Sequence, residues 1–499
     1  MHGLVALVRE RARLQPAAEA LGHGARSLDY ATFWLQVEGF AHALLAKGLV
    51  PGERVAVILP NRPEAAVALY AIWLAGGVAV PLNVQARERD FTAWIRHCGA
   101  QQVVYEQGHA DVETMLETFP EALTTWDVAA DMPLPIAAGG RFPPGTASVD
   151  ALACILYTSG TTGAPKGVML SHGNLASNVS AVIGYLGLTP QDRILSLLPC
   201  YYAYGASVLH THLVAGASVV FAEPMLFPQQ TLKALATSRA TGFSGVPSTY
   251  ALLCDHTDAG MFDFSALRYL TQAGGAMSPA LTRQVRGLLP QAALYVMYGQ
   301  TEATSRLTWL PPDRLMEKLG SVGIPVDGVD IRVADENGCT LPVGSEGEVL
   351  VRGQSVMLGY WQAPEASALA LRDGWLRTRD IGWLDEDGFL WIAGRSDDLI
   401  KTGAHRVHPQ DVEDVIAEVA GVRESAVVGI DDEMLGQAIA AYIVAEGSRP
   451  ELERDIRAHC RKRMAPYKIP RTIHFIDTLP RTASGKVRRA ALAQVHATP

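Results

Sequence analysis

From about Pro51 onward, short apolar runs rich in β-branched residues alternate with Ala- and Leu-rich stretches of helical length. Val55-Ala56-Val57-Ile58, Val78-Ala79-Val80 and Val103-Val104-Tyr105 are such runs. A strand that is apolar at every position has to be covered on both faces, and strands separated by helices pair in parallel. The chain is therefore expected to be α/β with parallel-rich sheets. At 499 residues it exceeds the size at which one core stops growing, so at least two domains are expected.

The pattern changes between Gly344 and Leu358, where Gly347-Glu348-Val349-Leu350-Val351-Arg352-Gly353 and later Gly388-Phe389-Leu390-Trp391-Ile392 read as strands separated by turns. A β-rich subdomain is expected there. Beyond the charged stretch Gly394-Arg395-Ser396-Asp397-Asp398, fresh helices and strands suffice for a small α+β domain. The boundary is placed at 397, giving domains 1–396 and 397–499.

Composition narrows the class. A net charge of -9 offers no broad basic surface, which disfavours nucleic acid as a partner. The six cysteines contain no C-x-x-C pair, against both a zinc site and a disulfide framework, and a reducing cytoplasm fits best. Arg9, Glu10, Arg11 and Arg13 interrupt what would be the apolar core of a signal peptide, so the N-terminus reads as an amphipathic helix. The uncharged stretch Ala65 to Leu82 is long enough to be weighed as a membrane span. Pro63-Glu64 starts a helix and Gly76-Gly77 stops it, so a core helix followed by a buried strand is expected instead.

The most informative stretch is Tyr157-Thr158-Ser159-Gly160-Thr161-Thr162-Gly163-Ala164-Pro165-Lys166-Gly167, which is expected to follow a buried strand and precede a helix. Glycines and small hydroxyl residues let backbone N–H groups and side chains converge on phosphate oxygens, and Lys166 adds charge. The spacing of a P-loop NTPase is not met, because Pro165 and Gly167 flank the lysine. The run resembles the phosphate-binding signature of the adenylate-forming superfamily: acyl-CoA synthetases, peptide-synthetase adenylation domains and luciferases.

The resemblance continues in the family's order along the chain. It implies a large N-terminal domain of two α/β subdomains plus a β-rich subdomain, a small mobile C-terminal domain, and ATP and Mg2+ as cofactors. Thr158, Ser159, Gly160, Thr161, Thr162, Gly163 and Lys166 would hold the phosphates. Tyr298-Gly299-Gln300-Thr301-Glu302 matches Y-G-x-T-E, where Glu302 would hold magnesium, Thr301 would share in catalysis, and Tyr298, Gly299 and Gln300 would line the nucleotide and acyl sites. Gly275 and Ala276 resemble the turn packed on adenine and the acyl group. Asp380 stands where the family binds the ribose, with Arg395 near the nucleotide. Leu479-Pro480-Arg481-Thr482-Ala483-Ser484-Gly485-Lys486 matches P-R-T-x-x-G-K, and Lys486 would neutralise charge as the acid attacks the α-phosphate.

Relatives run two half-reactions at one site by rotating the small domain, and the matching hinge is Asp397. Rotation would bring in Gly403, Ala404 and Arg406 toward the thiol acceptor, coenzyme A or a carrier-protein phosphopantetheine. Ala404 stands where glycine is common, and Arg379 interrupts the usual R-T-G-D. Tyr202, Tyr204, Gly245, Gly275 and Gln300 would line the acyl pocket, with Tyr202 where many relatives carry histidine. No carboxylate occurs in Leu198 to Gly205, and a buried ammonium needs one, so an α-amino acid is disfavoured. An acyl-CoA synthetase is the leading reading. A ligase loading an acyl carrier protein and a non-catalytic adenylate binder are the alternatives.

Overall fold

Ala65 to Leu82 forms the helix Pro63–Leu74 and the strand Val78–Pro81, as the flanking Pro-Glu and Gly-Gly pairs require. Every residue from Ala65 to Leu74 is buried, and Gly76 ends the helix at φ 85°, a conformation that strains other residues. Trp73 lies 1% exposed, its indole N–H donating to Ala153 O at 2.8 Å. This computed structural model describes residues 3–119, 123–128, 148–158, 165–222, 227–255, 259–402, 405–432, 435–445, 449–482 and 486–494. Among these, no helix is long and apolar enough to cross a membrane.

Two large sheets meet across that helix layer. In the first, the strands Glu19–His23, Ser218–Phe221, Arg193–Ser196, Gly242–Gly245, Tyr269–Gln272 and Ala293–Tyr298 lie side by side and parallel. Antiparallel strands close both edges. In the second, Leu152–Thr158, Val78–Pro81, Arg54–Ile58, Gln102–Tyr105 and Thr124–Asp127 run parallel. One buried cluster joins both sheets with the helices Tyr30–Ala46, Pro63–Leu74, His172–Leu186 and Ala203–Ala215. Alternation along Arg54–Ile58 splits its faces: Val55 and Val57 enter this cluster, whereas Ala56 and Ile58 pack on the outer one. The N-terminal helix Leu4–Leu14 is amphipathic as expected, burying Leu4, Val8 and Ala12, while Arg11 Nε donates to Val214 O.

The turn-rich region forms the expected antiparallel sheet, of Val329–Ala334, Gly347–Gly353, Leu371–Arg372, Trp375–Leu384 and Leu390–Arg395. A further sheet is built wholly of residues beyond Leu399: Ile400–Thr402, His405–Val407, Val422–Asp432, Gly436–Ala445 and Thr472–Phe475. It carries its own core around Ile416, Val427, Ile443 and Ile456.

One local expectation is overturned. The phosphate loop does not lead into a helix. Residues Lys166–Ser171 form a strand antiparallel to Leu152–Thr158, with Thr158 opposite Lys166, and the helix begins only at His172. Val168, Leu170 and Ser171 are buried in this strand, which secures it, and Ser171 then caps the helix through Asn174 N. The two strands that flank the loop thus form a β-hairpin, and the helix follows one strand later.

Candidate active site

In the parallel sheet the residues expected to bind nucleotide and acid all leave from the carboxyl ends of neighbouring strands, where open α/β sheets bind ligands. Gly245 ends one strand opposite Gln272 of the next, and Gln272 is opposite Val296 of the strand that ends at Tyr298. Gly274 turns at φ 85°, leaving Gly275 and Ala276 exposed, and Gln272 Nε2 holds Gly275 O at 2.8 Å. On the next strand over, Arg193–Ser196 leads to Tyr202 and Tyr204 at the start of the helix Ala203–Ala215. Tyr202 packs edge-on against Tyr201, and burial pushes its hydroxyl up to about 12. The hydroxyl of Tyr204 is already committed to Thr271, at 2.9 Å from both its carbonyl and its Oγ1.

Gly299 is confined by its surroundings. A Cβ there would stand 1.8 Å from Ser305 O, so the Tyr298–Glu302 turn closes only on glycine. Just beyond it, Glu302 accepts from Met357 N at its carbonyl, at 2.9 Å, and from Tyr360 Oη at Oε1, at 3.0 Å. Tyr360 in turn sits opposite Val168 on the phosphate hairpin, and Trp361 N donates to Gly167 O. The Glu302 carboxylate is thereby fixed to the strand that starts at Lys166. Tyr360 escaped sequence reading because a lone tyrosine carries no signal of its partner.

Asp380 lies on the antiparallel sheet, in register with Arg395. Oδ2 accepts from Tyr298 Oη at 2.5 Å, Oδ1 lies 3.3 Å from Arg395 Nε, and the backbone N–H donates to Thr378 Oγ1. Burial raises its pKa, against the opposing pull of Arg395, Tyr298 and Lys486. Lys486 belongs to the C-terminal region, where a tight turn holds it: Thr482 N donates to Lys486 O at 2.7 Å, and Lys486 N to Thr482 Oγ1 at 3.1 Å. Its ammonium is lowered by the protein around it and by Arg395, while Asp380 and Glu302 pull the other way. Because the side chain remains exposed to the cleft, water moderates that shift.

Three regions remote in sequence, at Tyr298–Glu302, Asp380–Arg395 and Lys486, therefore share one electrostatic field. Ser159, Gly160, Thr161, Thr162, Gly163, Gly403 and Ala404 lie outside the described residues, as do the side chains of Asp397 and Arg406. Thr158 and Lys166 flank the hairpin tip, opposite one another. Among the described residues, Gln300 Nε2 and Gln272 Oε1 are buried polar atoms without a partner, beside Gly299 and Gly275 respectively. Such atoms fit a polar ligand in the cleft. The single carboxylate of Glu302 matches magnesium, which takes one or two carboxylates and completes its shell with water and substrate phosphate.

A cleft that sets the ammonium of Lys486 near the carboxyl groups of Asp380 and Glu302 suits the joining of an acid to a nucleotide, and the fold and site together define an AMP-forming ligase. Sequence comparison agrees: the profile of the AMP-binding enzymes matches residues 8–361 and that of the AMP-binding enzyme C-terminal domain matches 411–486, so the chain belongs to this adenylate-forming family. A feruloyl-CoA synthase from Amycolatopsis is 34% identical over 484 residues, covering 96% of each chain. A 2-succinylbenzoate–CoA ligase from Bacillus licheniformis is 33% identical over 491 residues, covering 97% of this chain and 98% of the other. Among solved structures, o-succinylbenzoate CoA synthetase from Bacillus subtilis with its acyl-adenylate superposes with a TM-score of 0.87 at 30% identity, covering 97% of each chain. An anthranilate CoA ligase with anthranoyl-AMP gives 0.92 at 26% identity, covering 99% of this chain and 97% of that one.

Proposed function

We propose that this chain is an acyl-CoA synthetase for an aryl-type carboxylic acid: it consumes ATP, releases pyrophosphate as the acid becomes an acyl-adenylate, and passes the acyl group to coenzyme A. The observation that carries the reading is the convergence of Lys486 with Asp380, Glu302 and Arg395 on one cleft. An acid and a triphosphate repel each other, and an ammonium between them offsets the charge that builds in the transition state. Asp380 would accept from the ribose with Arg395 beside it, Glu302 would hold magnesium at the phosphates with Thr301 sharing in catalysis next to it, and Lys166 with the residues from Thr158 to Gly163 would cradle them. When bound, magnesium would supply positive charge to offset that of the phosphates.

Tyr202, Tyr204, Gly245, Gly275 and Gln300 are placed around the acyl group. The edge-on pair Tyr201 and Tyr202 favours a ring-bearing acid, and the feruloyl, succinylbenzoate and anthranilate names of the relatives are those of aryl acids. Residues 397–499 turn as a unit about Asp397, which sits in the short turn Ser396–Asp398 between two separately paired sheets. That motion exchanges Lys486 for the segment at Gly403, Ala404 and Arg406. Four buried free thiols suit a reducing cytoplasm.

The test is acid-dependent pyrophosphate release from ATP and magnesium across a panel of aryl acids, with hydroxylamine trapping, with and without coenzyme A. Hydroxamate together with acyl-CoA supports the synthetase. Hydroxamate without acyl-CoA moves the acceptor to an acyl carrier protein, and no acid-dependent pyrophosphate overturns the reading.

A further inference from the structure

Arg306 stands four residues beyond Glu302 and is 2% exposed. Gly299 makes room for it, since a Cβ there would also come within 2.9 Å of Arg306 Cα, and the segment that lines the acyl site therefore lies directly against it. The guanidinium carbon sits 4.5 Å from the ring centroid of Tyr204. Its Nη1 donates to the neutral hydroxyl of Ser305 at 3.2 Å, the neutral phenols of Tyr185 and Tyr204 are its other polar neighbours, and Nε has no partner. Among the described residues no carboxylate pairs with it. Asp192, whose charge reaches the same His212 as that of Arg306, is engaged through both oxygens by Arg268.

A guanidinium does not lose its proton in a protein, so Arg306 is a cation enclosed by tyrosines and amide groups. Burying such a charge without an anion costs several kcal/mol, which a fold does not carry without return. The cation is also held in place. Asn178 Nδ2 ties down Arg306 O at 2.9 Å, and Tyr204, on which the guanidinium stacks, is itself fixed through Thr271 on the strand leading to Gly274-Gly275. A planar fork, pre-oriented on an aromatic face and unpaired at Nε, is the arrangement that takes a carboxylate.

We propose that Arg306 forms the anion-binding end of the acyl pocket, and that the acid this enzyme activates carries a second carboxylate, distal to the reacting one, which pairs with the guanidinium. The inference rests on the adenylation reading and names the substrate class of the same site. Only the distal carboxylate meets Arg306, so the reacting carboxylate stays free to approach the α-phosphate beneath Lys486.

Two matched pairs test it: toluate against terephthalate, and phenylpropanoate against its para-carboxy derivative. Each is followed by acid-dependent pyrophosphate release with the full-length protein. The diacid is expected to lead its partner by on the order of 100-fold in kcat/KM, chiefly through KM. Arg306→Met is expected to erase that preference, and Arg306→Lys to keep part of it. The wild-type comparison decides even where a variant fails to fold. Equal or better use of the monoacid overturns the inference and leaves the adenylation reading standing, as does a diacid preference that survives in Arg306→Met. No pyrophosphate with any acid of a wider panel overturns both.

Discussion

The hydroxyl of Tyr298 donates to Asp380 Oδ2 across 2.5 Å, joining the end of the strand Ala293–Tyr298 to the strand Trp375–Leu384. The same carboxyl group faces Arg395 on its other oxygen, yet burial prevails and its pKa is raised above the ordinary 3.8. A carboxyl raised in this way stabilises the fold while protonated. That contribution is complete below the unfolded pKa and is lost as pH rises through the folded one. In the proposed ribose-binding role, ionising this carboxyl for the ligand therefore comes at a cost in stability. Asp380→Asn is expected to melt no lower than the wild type at pH 7, with the difference shrinking in melts taken down toward pH 4. Its KM for ATP should rise on the order of 100-fold, because an amide accepts poorly from two ribose hydroxyls. A variant that melts well below the wild type at pH 7 would show that the carboxylate is structural.

Lys486 sits exposed in the cleft on a turn fixed by its own backbone and Thr482, so truncating its side chain leaves the fold intact. Lys486→Ala is expected to reduce acid-dependent pyrophosphate release by a factor on the order of 100 or more. Thioester formation from supplied acyl-AMP should continue near the wild-type rate, since the proposed rotation assigns that half-reaction to the other domain arrangement. Equal loss of both steps would contradict domain rotation.

Much of this site was legible because its chemistry is written in contiguous runs: Tyr298 to Glu302, Arg377 to Asp380 and Leu479 to Lys486 each state a residue and its setting together. What stayed hidden was pairing across distance. Tyr360 acquires its meaning only by reaching Glu302, and Arg306 only by being buried, whereas a charged residue in a sequence is ordinarily read as solvated. The phosphate hairpin was misjudged for a related reason. The apolar run after Lys166 is as short as the first turns of a helix, and only its pairing with Leu152–Thr158 makes it a strand. The membrane-length stretch at Ala65, in contrast, could be resolved from its own Pro and Gly punctuation.

Arg379 is the residue that interrupts R-T-G-D, and it adopts φ 60°, the left-handed region that glycine enters without strain. Its N–H donates to Glu348 Oε1, and the strand on either side is paired, so the conformation is imposed by its neighbours. Arg379→Gly is expected to be more stable than Arg379→Ala by about 1 kcal/mol, since both remove the side chain and only the alanine keeps the strain. Denaturant midpoints of the two variants, taken with their m values, measure this directly. Identical midpoints would mean that the backbone relaxes once the arginine is gone.

Tyr360 holds Glu302 Oε1 at 3.0 Å while pairing, through its backbone, with the phosphate hairpin. Burial and the neighbouring Glu302 push its phenol well above the ordinary value, so it stays a neutral donor at any working pH. A carboxylate aimed by such a donor loses little entropy when it meets a cation, and removing outer partners of this kind typically weakens metal binding by about 10–100-fold. Tyr360→Phe is therefore expected to raise the magnesium concentration needed for half-maximal pyrophosphate release by about tenfold, with the KM for the acid unchanged. Glu302→Gln, which removes the charge itself, should not be rescued at any magnesium concentration. If Tyr360→Phe instead altered the acid KM and left the magnesium titration in place, Glu302 would belong to the acyl site and the phosphates would need another anchor for the metal.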